Sequence, residues 1–150
     1  MVALIQRVRE ASVQVEGEEV GCIGAGMLIL FGAHRTDTET ELDWLVGKCA
    51  RLRIFPDEEG RMNRSIAEIG GEVLVVSQFT LYGDVRRGNR PSFVDAAPPE
   101  QAEALYGAFV ERLTAQLDAP VRTGVFGAMM DVHLVNDGPV TLWVERRHGA

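Results

Sequence analysis

The first part of the chain alternates hydrophobic and polar residues in short runs that predict β-strands. Residues 4–8 and 12–16 alternate, a polar turn spans 16–19, and strand segments follow at 20–23 and 27–31. Each segment follows the last closely, as in strands joined by tight turns. We therefore predict a β-meander at the amino terminus.

Two longer segments have the spacing of amphipathic helices. The apolar face of the first lies beyond residues 36–37 and comprises Leu42, Leu45, Val46, Cys49 and Leu52. The second runs from Pro99 to about Leu117, because proline suits the first turn of a helix. Its apolar face comprises Ala102, Leu105, Tyr106, Phe109 and Leu113. Each helix has one apolar face, so we expect both to cover a sheet.

Further strands are predicted from Val73, near residues 121–122, and at 131–135 and 140–145. The fold class that follows is α/β: a single layered domain over residues 1–150, with a mostly antiparallel or mixed, barrel-like β-sheet covered by two amphipathic helices. A chain of 150 residues can bury roughly 68–70% of the surface that its unfolded form exposes.

The strand that begins at Val73 carries the strongest indication of a functional site. Its continuous apolar run is typical of a strand buried on both faces, and it continues without a break into Ser77, Gln78 and Thr80. Leaving such polar groups buried and unpaired would cost roughly 1–3 kcal/mol each. They therefore either bond to nearby backbone at a strand end or bind a ligand.

A second candidate segment is Asn136-Asp137-Gly138-Pro139, which lies between two apolar runs and predicts a hairpin turn. Proline fixes its own φ and has no N–H, so the carbonyls of Asp137 and Gly138 are free to face a ligand. An ordinary turn has the same composition. Only about 5–6% of X–Pro bonds in folded proteins are cis, so the residues alone favour a trans bond.

Charge limits the partners that the chain can bind. The formal net charge is −7, which argues against broad affinity for nucleic acid, and we expect no DNA partner. Two groups of arginines are candidates for local basic surfaces. The first comprises Arg86, Arg87 and Arg90, and the second, looser group comprises Arg51, Arg53, Arg61 and Arg64. Each group is equally consistent with solvated side chains on a mixed surface.

No apolar segment approaches the ~20 residues that a bilayer crossing needs, so no membrane association is expected. The amino terminus lacks a basic region followed by a long apolar one, and we expect a cytoplasmic protein. Cys22 and Cys49 belong to no metal-ligand spacing. Both are expected to be buried, and we predict neither a metal ion nor another cofactor.

The segments 77–81 and 136–141 closely resemble the two signature motifs of the D-aminoacyl-tRNA deacylases. The likeness continues in order and spacing at residues 3–8, 53–55, 62–63, 90–93 and 102–106. Essentially the whole chain is covered. The resemblance implies hydrolysis of the ester of D-aminoacyl-tRNA, with the 3′ end of the tRNA as partner and a homodimer whose active site lies at the subunit interface.

The resemblance also implies roles for individual residues. The catalytic segment is Ser77, Gln78, Phe79 and Thr80. Gly138 and Pro139 form a cis peptide that enters the pocket of the partner subunit, where its carbonyls hold the substrate's α-amino group and leave no room for an L side chain. Phe126 and Met129 match pocket-lining positions, although such apolar residues are more often core, and Arg7 matches an arginine near the dimer contact.

The histidines do not offer an obvious catalytic base. His34 follows an apolar strand, His133 shares a predicted strand face with Asp131, and His148 lies in the tail. A threonine hydroxyl without an activating base is a poor nucleophile. We therefore predict that main-chain amides near Phe79 and Thr80 stabilise the oxyanion, while water attacks with help from the neighbouring ribose hydroxyl.

Three other functions stay open at this point. A related deacylase would remove a small L-amino acid from mischarged tRNA, with a wider pocket and a trans Gly-Pro bond. A non-catalytic dimeric module would bind RNA ends, with residues 77–82 as an edge strand. A general esterase is less well supported, because the chain has no Gly-x-Ser-x-Gly motif.

Overall fold

A computed structural model describes residues 1–150 and shows a mixed β-sheet with helices packed on one face. The strands are β1 (Val2–Val15), β2 (Glu18–Ile23), β3 (Gly26–Gly32), β4 (Phe55–Pro56), β5 (Met62–Arg64), β6 (Glu72–Ser77), β7 (Val121–Thr123) and β8 (Asp131–Glu145). The helices are α1 (Glu39–Arg51), α2 (Ile66–Ile69) and α3 (Pro99–Ala115), with a 3-10 helix at Phe79–Tyr82.

The long strand β1 lies at the centre of the sheet. One of its edges pairs antiparallel with β3 and then β2, and the other pairs antiparallel with β8. The predicted meander is therefore wrong, because β2 and β3 both return along β1. Residues 4–16 looked like two strands because Arg9 and Glu10 are exposed at a shift in the pairing with β8, not at a turn.

The sheet continues from β3 through parallel pairs to β6 and β7. It then curls back on itself. A Cβ placed on Gly21 of β2 would lie 2.5 Å from the carbonyl oxygen of Thr123 in β7, so the two backbones are in close contact. This confirms the expected α/β class with a mixed, barrel-like sheet.

Both faces of the sheet are buried, which explains the continuous apolar run in β6. Val73 and Val75 join a core of 22 residues beneath α1 and α3, whereas Leu74 and Val76 join a core of seven residues on the opposite face. All four side chains are at most 1% exposed. The end of β6 is thus held from two sides, which fixes the position of the residues that follow.

The two covering helices are confirmed at α1 and α3. Thr38 caps α1 in a reciprocal capping box with Glu41, and Pro99 occupies the first position of α3. Cys49 is fully buried in α1, and burial raises the pKa of its thiol to about 12. Cys22, in contrast, is exposed on β2, so the expectation that it is buried is wrong.

The predicted hairpin at residues 136–139 is also wrong, because β8 is one strand that pairs with β1 along its whole length. Asn136 lies opposite Val8 and Thr141 lies opposite Gln6. Residues 137–140 therefore form a bulge opposite Arg7. Glycine and proline interrupt the ladder here, but the strand resumes in the same direction with the same partner.

None of the helices combines the length and the apolar composition that crossing a bilayer requires.

The cap of α1 gives a test of the fold. Burial alone would raise the pKa of Glu41, but hydrogen bonds from the Thr38 hydroxyl and backbone N–H outweigh it and lower the pKa to about 2. We expect Thr38→Ala to lower the free energy of unfolding at pH 7 by about 1 kcal/mol in urea denaturation. Thr40→Ala, two residues further along the helix, is the control, and its free energy of unfolding should stay within about 0.5 kcal/mol of the parent value.

The effect of Thr38→Ala on stability should depend on pH, and the sign of this dependence is known from the pKa of Glu41. A carboxylate with a lowered pKa stabilises the fold above its ordinary pKa of 4.5 and loses this contribution as the pH falls towards about 2. The stability difference between the parent chain and Thr38→Ala should therefore narrow over that interval. A difference that stays constant would show that the hydrogen bond from the Thr38 hydroxyl to Glu41 contributes nothing to the folded-state pKa of that carboxyl.

Candidate active site

The polar segment that follows β6 is a tight turn fixed to the sheet. The strand ends at Ser77, and the N–H of Gln78 donates to the Phe31 carbonyl on β3 over 2.7 Å. The chain then enters the 3-10 helix, so residues 77–82 do not continue as a strand. Phe79 and Thr80 are its first two residues, and their N–H groups have no partner within the helix.

The side chains of this turn are directed partly to solvent. Phe79 is 53% exposed, Thr80 is exposed, and Ser77 and Gln78 are half-buried. The carboxamide of Gln78 donates to the hydroxyl of Thr80. The ring of Phe93, from the loop that follows, lies edge-on to Phe79 with centroids 5.1 Å apart.

A buried tyrosine anchors the far end of the 3-10 helix. The Tyr82 hydroxyl donates to Glu145 over 3.4 Å, and its ring lies 5.2 Å from that of His34. Burial, together with the negative charges of Asp37 and Glu145, raises the pKa of Tyr82 well above its usual range. It stays protonated and does not serve as a base near neutral pH.

None of the three histidines hydrogen-bonds to Thr80, and each has other neighbours. His34 contacts the Thr36 hydroxyl at 2.8 Å, and His148 lies 3.2 Å from Glu41. His133 pairs with Ser12, nine positions along β1 from the level of Ser77, or roughly 30 Å. No Ser/Thr-His-Asp triad is assembled at this turn.

The bulge in β8 is held by side chains on both of its flanks. The Arg7 guanidinium donates to the Asp137 carbonyl over 3.1 Å and to the Ile54 carbonyl over 2.7 Å. The Asn136 carboxamide donates to the carbonyls of Arg7 and Val140 over 2.9 and 3.0 Å. Because these bonds cross the base of the bulge, residues 137–140 form a fixed projection.

Gly138 and Pro139 stand exposed at the tip of this projection, and the peptide bond between them is cis. Gly138 has a φ of +126°, which L residues rarely adopt. A Cβ at this position would lie 2.9 Å from Nη2 of Arg7 and 3.0 Å from Val140. Glycine is therefore required here by both conformation and space.

One protomer does not bring the two candidate segments together. Ser77 is level with Phe31 and Ala3, four positions along β1 from Arg7, which faces the bulge. This offset is about 13 Å along the strands, and three strand spacings add about 14 Å across them. The structure groups residues 77–80, and separately groups Arg7 with Gly138 and Pro139.

The other predicted pocket residues lie between β7 and β8. Thr123 pairs with Val75, and the segment that follows leaves the sheet on the side of Ser77. Phe126 is half-buried, with its ring 5.9 Å from that of Tyr106, so part of its role is in the core. Met129 is 91% exposed, and its pocket role stays a prediction.

No three His, Cys, Asp or Glu side chains are arranged to hold a metal ion.

Comparison with known proteins identifies the family. The model of the D-Tyr-tRNA(Tyr) deacylase family matches residues 4–145, which is nearly the whole chain. The chain belongs to this family.

Two curated relatives and one solved structure are similar to this chain over nearly their full lengths. The D-aminoacyl-tRNA deacylase of Salinibacter ruber is 60% identical over 98% of both chains, and that of Chlorobaculum parvum is 58% identical over 97% of both. A solved structure named c-Myc DNA Unwinding Element Binding Protein superposes with a TM-score of 0.94 at 44% identity, covering 98% of this chain and 99% of that one.

Three residues that matter to the geometry of this family member lie in segments singled out from the sequence but were given no individual role there. Asn136 closes the bulge, Asp137 supplies the carbonyl that Arg7 binds, and Phe93 lies beside Phe79. Asn136 and Asp137 were assigned to a turn, where asparagine and aspartate are common. Phe93 entered the sequence analysis only as part of the segment 90–93 that resembles the family.

The geometry of Gly138 gives a test of the bulge. We expect Gly138→Ala to lower the free energy of unfolding by about 2–3 kcal/mol, because the new Cβ is strained at this φ and meets Arg7 and Val140. Gly60→Ala is the control, since Gly60 also has a positive φ of 78° but open space around it. Gly60→Ala should lower the free energy of unfolding by about 1 kcal/mol. Equal losses in denaturant titrations of the two variants would contradict the crowding at residue 138.

Proposed function

We propose that the protein hydrolyses the ester bond of D-aminoacyl-tRNA, releasing free tRNA and the D-amino acid. The observation that carries the proposal is that one chain of this family has both a solvent-facing turn with free amide donors and a rigid Gly138–Pro139 projection. The relatives named D-aminoacyl-tRNA deacylase support the substrate class. The reaction is a chiral proofreading step for translation.

The proposed chemistry depends on main-chain donors. Water attacks the ester carbonyl carbon, and the carbonyl oxygen takes up negative charge beside the N–H groups of Phe79 and Thr80. The intermediate then collapses, the bond to the ribose oxygen breaks, and that oxygen leaves as a hydroxyl after taking the proton that the attacking water gives up. One preorganised donor is typically worth about 2.7–4 kcal/mol. The bond from Gln78 to Phe31 supports this role, because it holds the turn in place before substrate binds.

The proposed role of Thr80 is to hold the turn and the terminal adenosine, not to attack the ester. Its hydroxyl accepts a hydrogen bond from Gln78, and no histidine or carboxylate lies within hydrogen-bond distance to take its proton. The neighbouring hydroxyl of the terminal ribose assists the attacking water in its place. Ser77, half-buried at the strand end, completes the binding surface.

A second copy of the chain is proposed to complete the site. The two candidate segments lie far apart on one protomer, and β8 has an unpaired outer edge. Exposed apolar side chains on that strand, Val135, Leu142 and Trp143, offer a surface for association. In the proposed homodimer, the Gly138–Pro139 projection of one subunit closes over residues 77–80 of the other.

Discrimination between mirror-image amino acids requires a wall, because D and L side chains have equal volume and hydrophobicity. The proposed wall is the backbone of Gly138 and Pro139, whose carbonyls receive the substrate's α-amino group. Arg7 and Asn136 brace this backbone from beneath. A braced backbone excludes an L side chain more strictly than a mobile side chain would.

A set of four aminoacyl-tRNAs tests this proposal. We expect cleavage of D-tyrosyl-tRNA and glycyl-tRNA, because glycine has no side chain to clash, with kcat/KM at least about 10²-fold lower for L-tyrosyl-tRNA and L-alanyl-tRNA. Release of the amino acid should persist when a chelator is present.

Each other result in that set would contradict part of the proposal. Inertness towards glycyl-tRNA would exclude a purely steric filter. Faster cleavage of L-alanyl-tRNA than of D-tyrosyl-tRNA would assign the protein to small L-amino acids. Binding of tRNA without any turnover would favour a non-catalytic module, although residues 77–82 form a turn and not the edge strand that such a module was expected to use.

Substitution at Phe79 tests the amide mechanism directly. Phe79→Pro removes the N–H donor at a helix position that tolerates proline, and should lower kcat by about 10²–10³-fold. Phe79→Ala is the matched control, since it removes the ring and keeps the N–H, and should retain most of the turnover. Thr80→Ala should likewise remain active.

The outcome that would overturn this mechanism is equally specific. If Thr80→Ala folds and binds tRNA but has no activity, while Phe79→Pro remains active, the threonine hydroxyl is the nucleophile and the amides are not the oxyanion site.

A further inference from the structure

Several arginines gather around the loop that follows the candidate site. Residues 84–95 contain Arg86, Arg87 and Arg90, and Arg35 lies beside the returning end of the loop. Against the carboxylates of Asp84 and Asp95, these four arginines leave a local charge of +2. The chain as a whole carries −7, so this surface differs in sign from the average of the protein.

The loop has an internal structure that leaves two of its arginines free. Asp84 and Ser92 exchange backbone hydrogen bonds of 2.7 and 2.9 Å, which close the loop at its base. The Arg86 guanidinium binds both carboxylate oxygens of Asp84, at 2.9 and 2.8 Å, and holds the pKa of that carboxyl well below its usual range. Arg87 and Arg90 are exposed and have no carboxylate within 4 Å.

Arg35 belongs to the same surface through its backbone and side chain. Its N–H donates to the Asp95 carbonyl over 3.0 Å, and its guanidinium reaches the Val94 carbonyl at 3.4 Å. It makes no ion pair. In the looser arginine group, Arg61 and Arg64 pair with Glu59 and Glu58, whereas Arg51 and Arg53 are also without an ion pair.

The loop is joined directly to the candidate site. The N–H of Gly83 donates to the Thr80 carbonyl over 2.9 Å, immediately before the loop begins, and Phe93 at its other end lies against Phe79. A group bound by this loop would therefore be held next to residues 77–80.

We propose that Arg87 and Arg90, with Arg35 beside them, bind backbone phosphates of the RNA next to its reacting 3′ end. The inference rests on the proposed function and adds the way in which an acidic protein holds an anionic substrate. Guanidinium groups suit phosphate because their planar donors bind two oxygens at once. A few such contacts at one end of an RNA give enough affinity for binding, so the protein as a whole does not need to be basic.

The test compares a full substrate with one that has no phosphates. We expect Arg87→Gln with Arg90→Gln to raise KM for D-tyrosyl-tRNA about tenfold with little change in kcat, and to leave cleavage of D-tyrosyl-adenosine unchanged. The dependence of log kcat/KM on log salt should become shallower by about 1.4. Arg35→Gln alone should raise KM about threefold.

The control pair is Lys48→Gln with Arg51→Gln, which removes the same charge from exposed positions on α1. The proposal is overturned if both pairs behave alike, or if the loop pair loses activity equally on tRNA and on D-tyrosyl-adenosine. Should the parent chain cleave no tRNA ester at all, the proposed function fails. Fluorescence anisotropy with uncharged tRNA then decides this inference: weaker binding by the loop pair alone supports it, and equal binding overturns it.

Discussion

β1 pairs with other strands along both of its edges, and these pairings set the positions of both candidate segments. Along one edge, β3 leads to β6 and sets the level at which Ser77 leaves the sheet. Along the other, β8 is held in a register that places four residues opposite Arg7. The bulge is therefore positioned by hydrogen bonds to β1 itself, and the turn by hydrogen bonds to β3, which is in turn paired with β1.

The groups proposed to act at both segments belong to the main chain. At the turn, the relevant groups are amides that the start of a helix leaves without partners. At the bulge, they are carbonyls, with side chains of Arg7 and Asn136 serving to fix the backbone. In the proposed reaction this division is advantageous, because a backbone braced at both ends does not need to reorganise when charge develops.

The sequence predicted those parts of the fold that depend on local periodicity. The helices at residues 39–51 and 99–115 and the buried strand from Val73 are confirmed, since one apolar face or a fully apolar run is visible without knowledge of the partner. The meander and the hairpin failed for one reason. Alternation in residues 4–16 and turn residues at 136–139 indicate where pairing is interrupted, but they do not state which strand is paired on either side.

The same limit explains what could be inferred about the site. Ser77, Gln78 and Thr80 were recognisable because polar residues follow a run that is buried on both faces. The individual roles of Asn136 and Phe93 were not recognisable, because they come from contacts made with Arg7 and Phe79, 129 and 14 residues away in the chain. The separation of the two segments on one protomer was equally invisible from the sequence, since it follows from strand order. Because of that separation, the proposed pocket exists only when two copies of the chain associate. The backbone that excludes L side chains can then be rigid within its own subunit, while the substrate enters the other subunit.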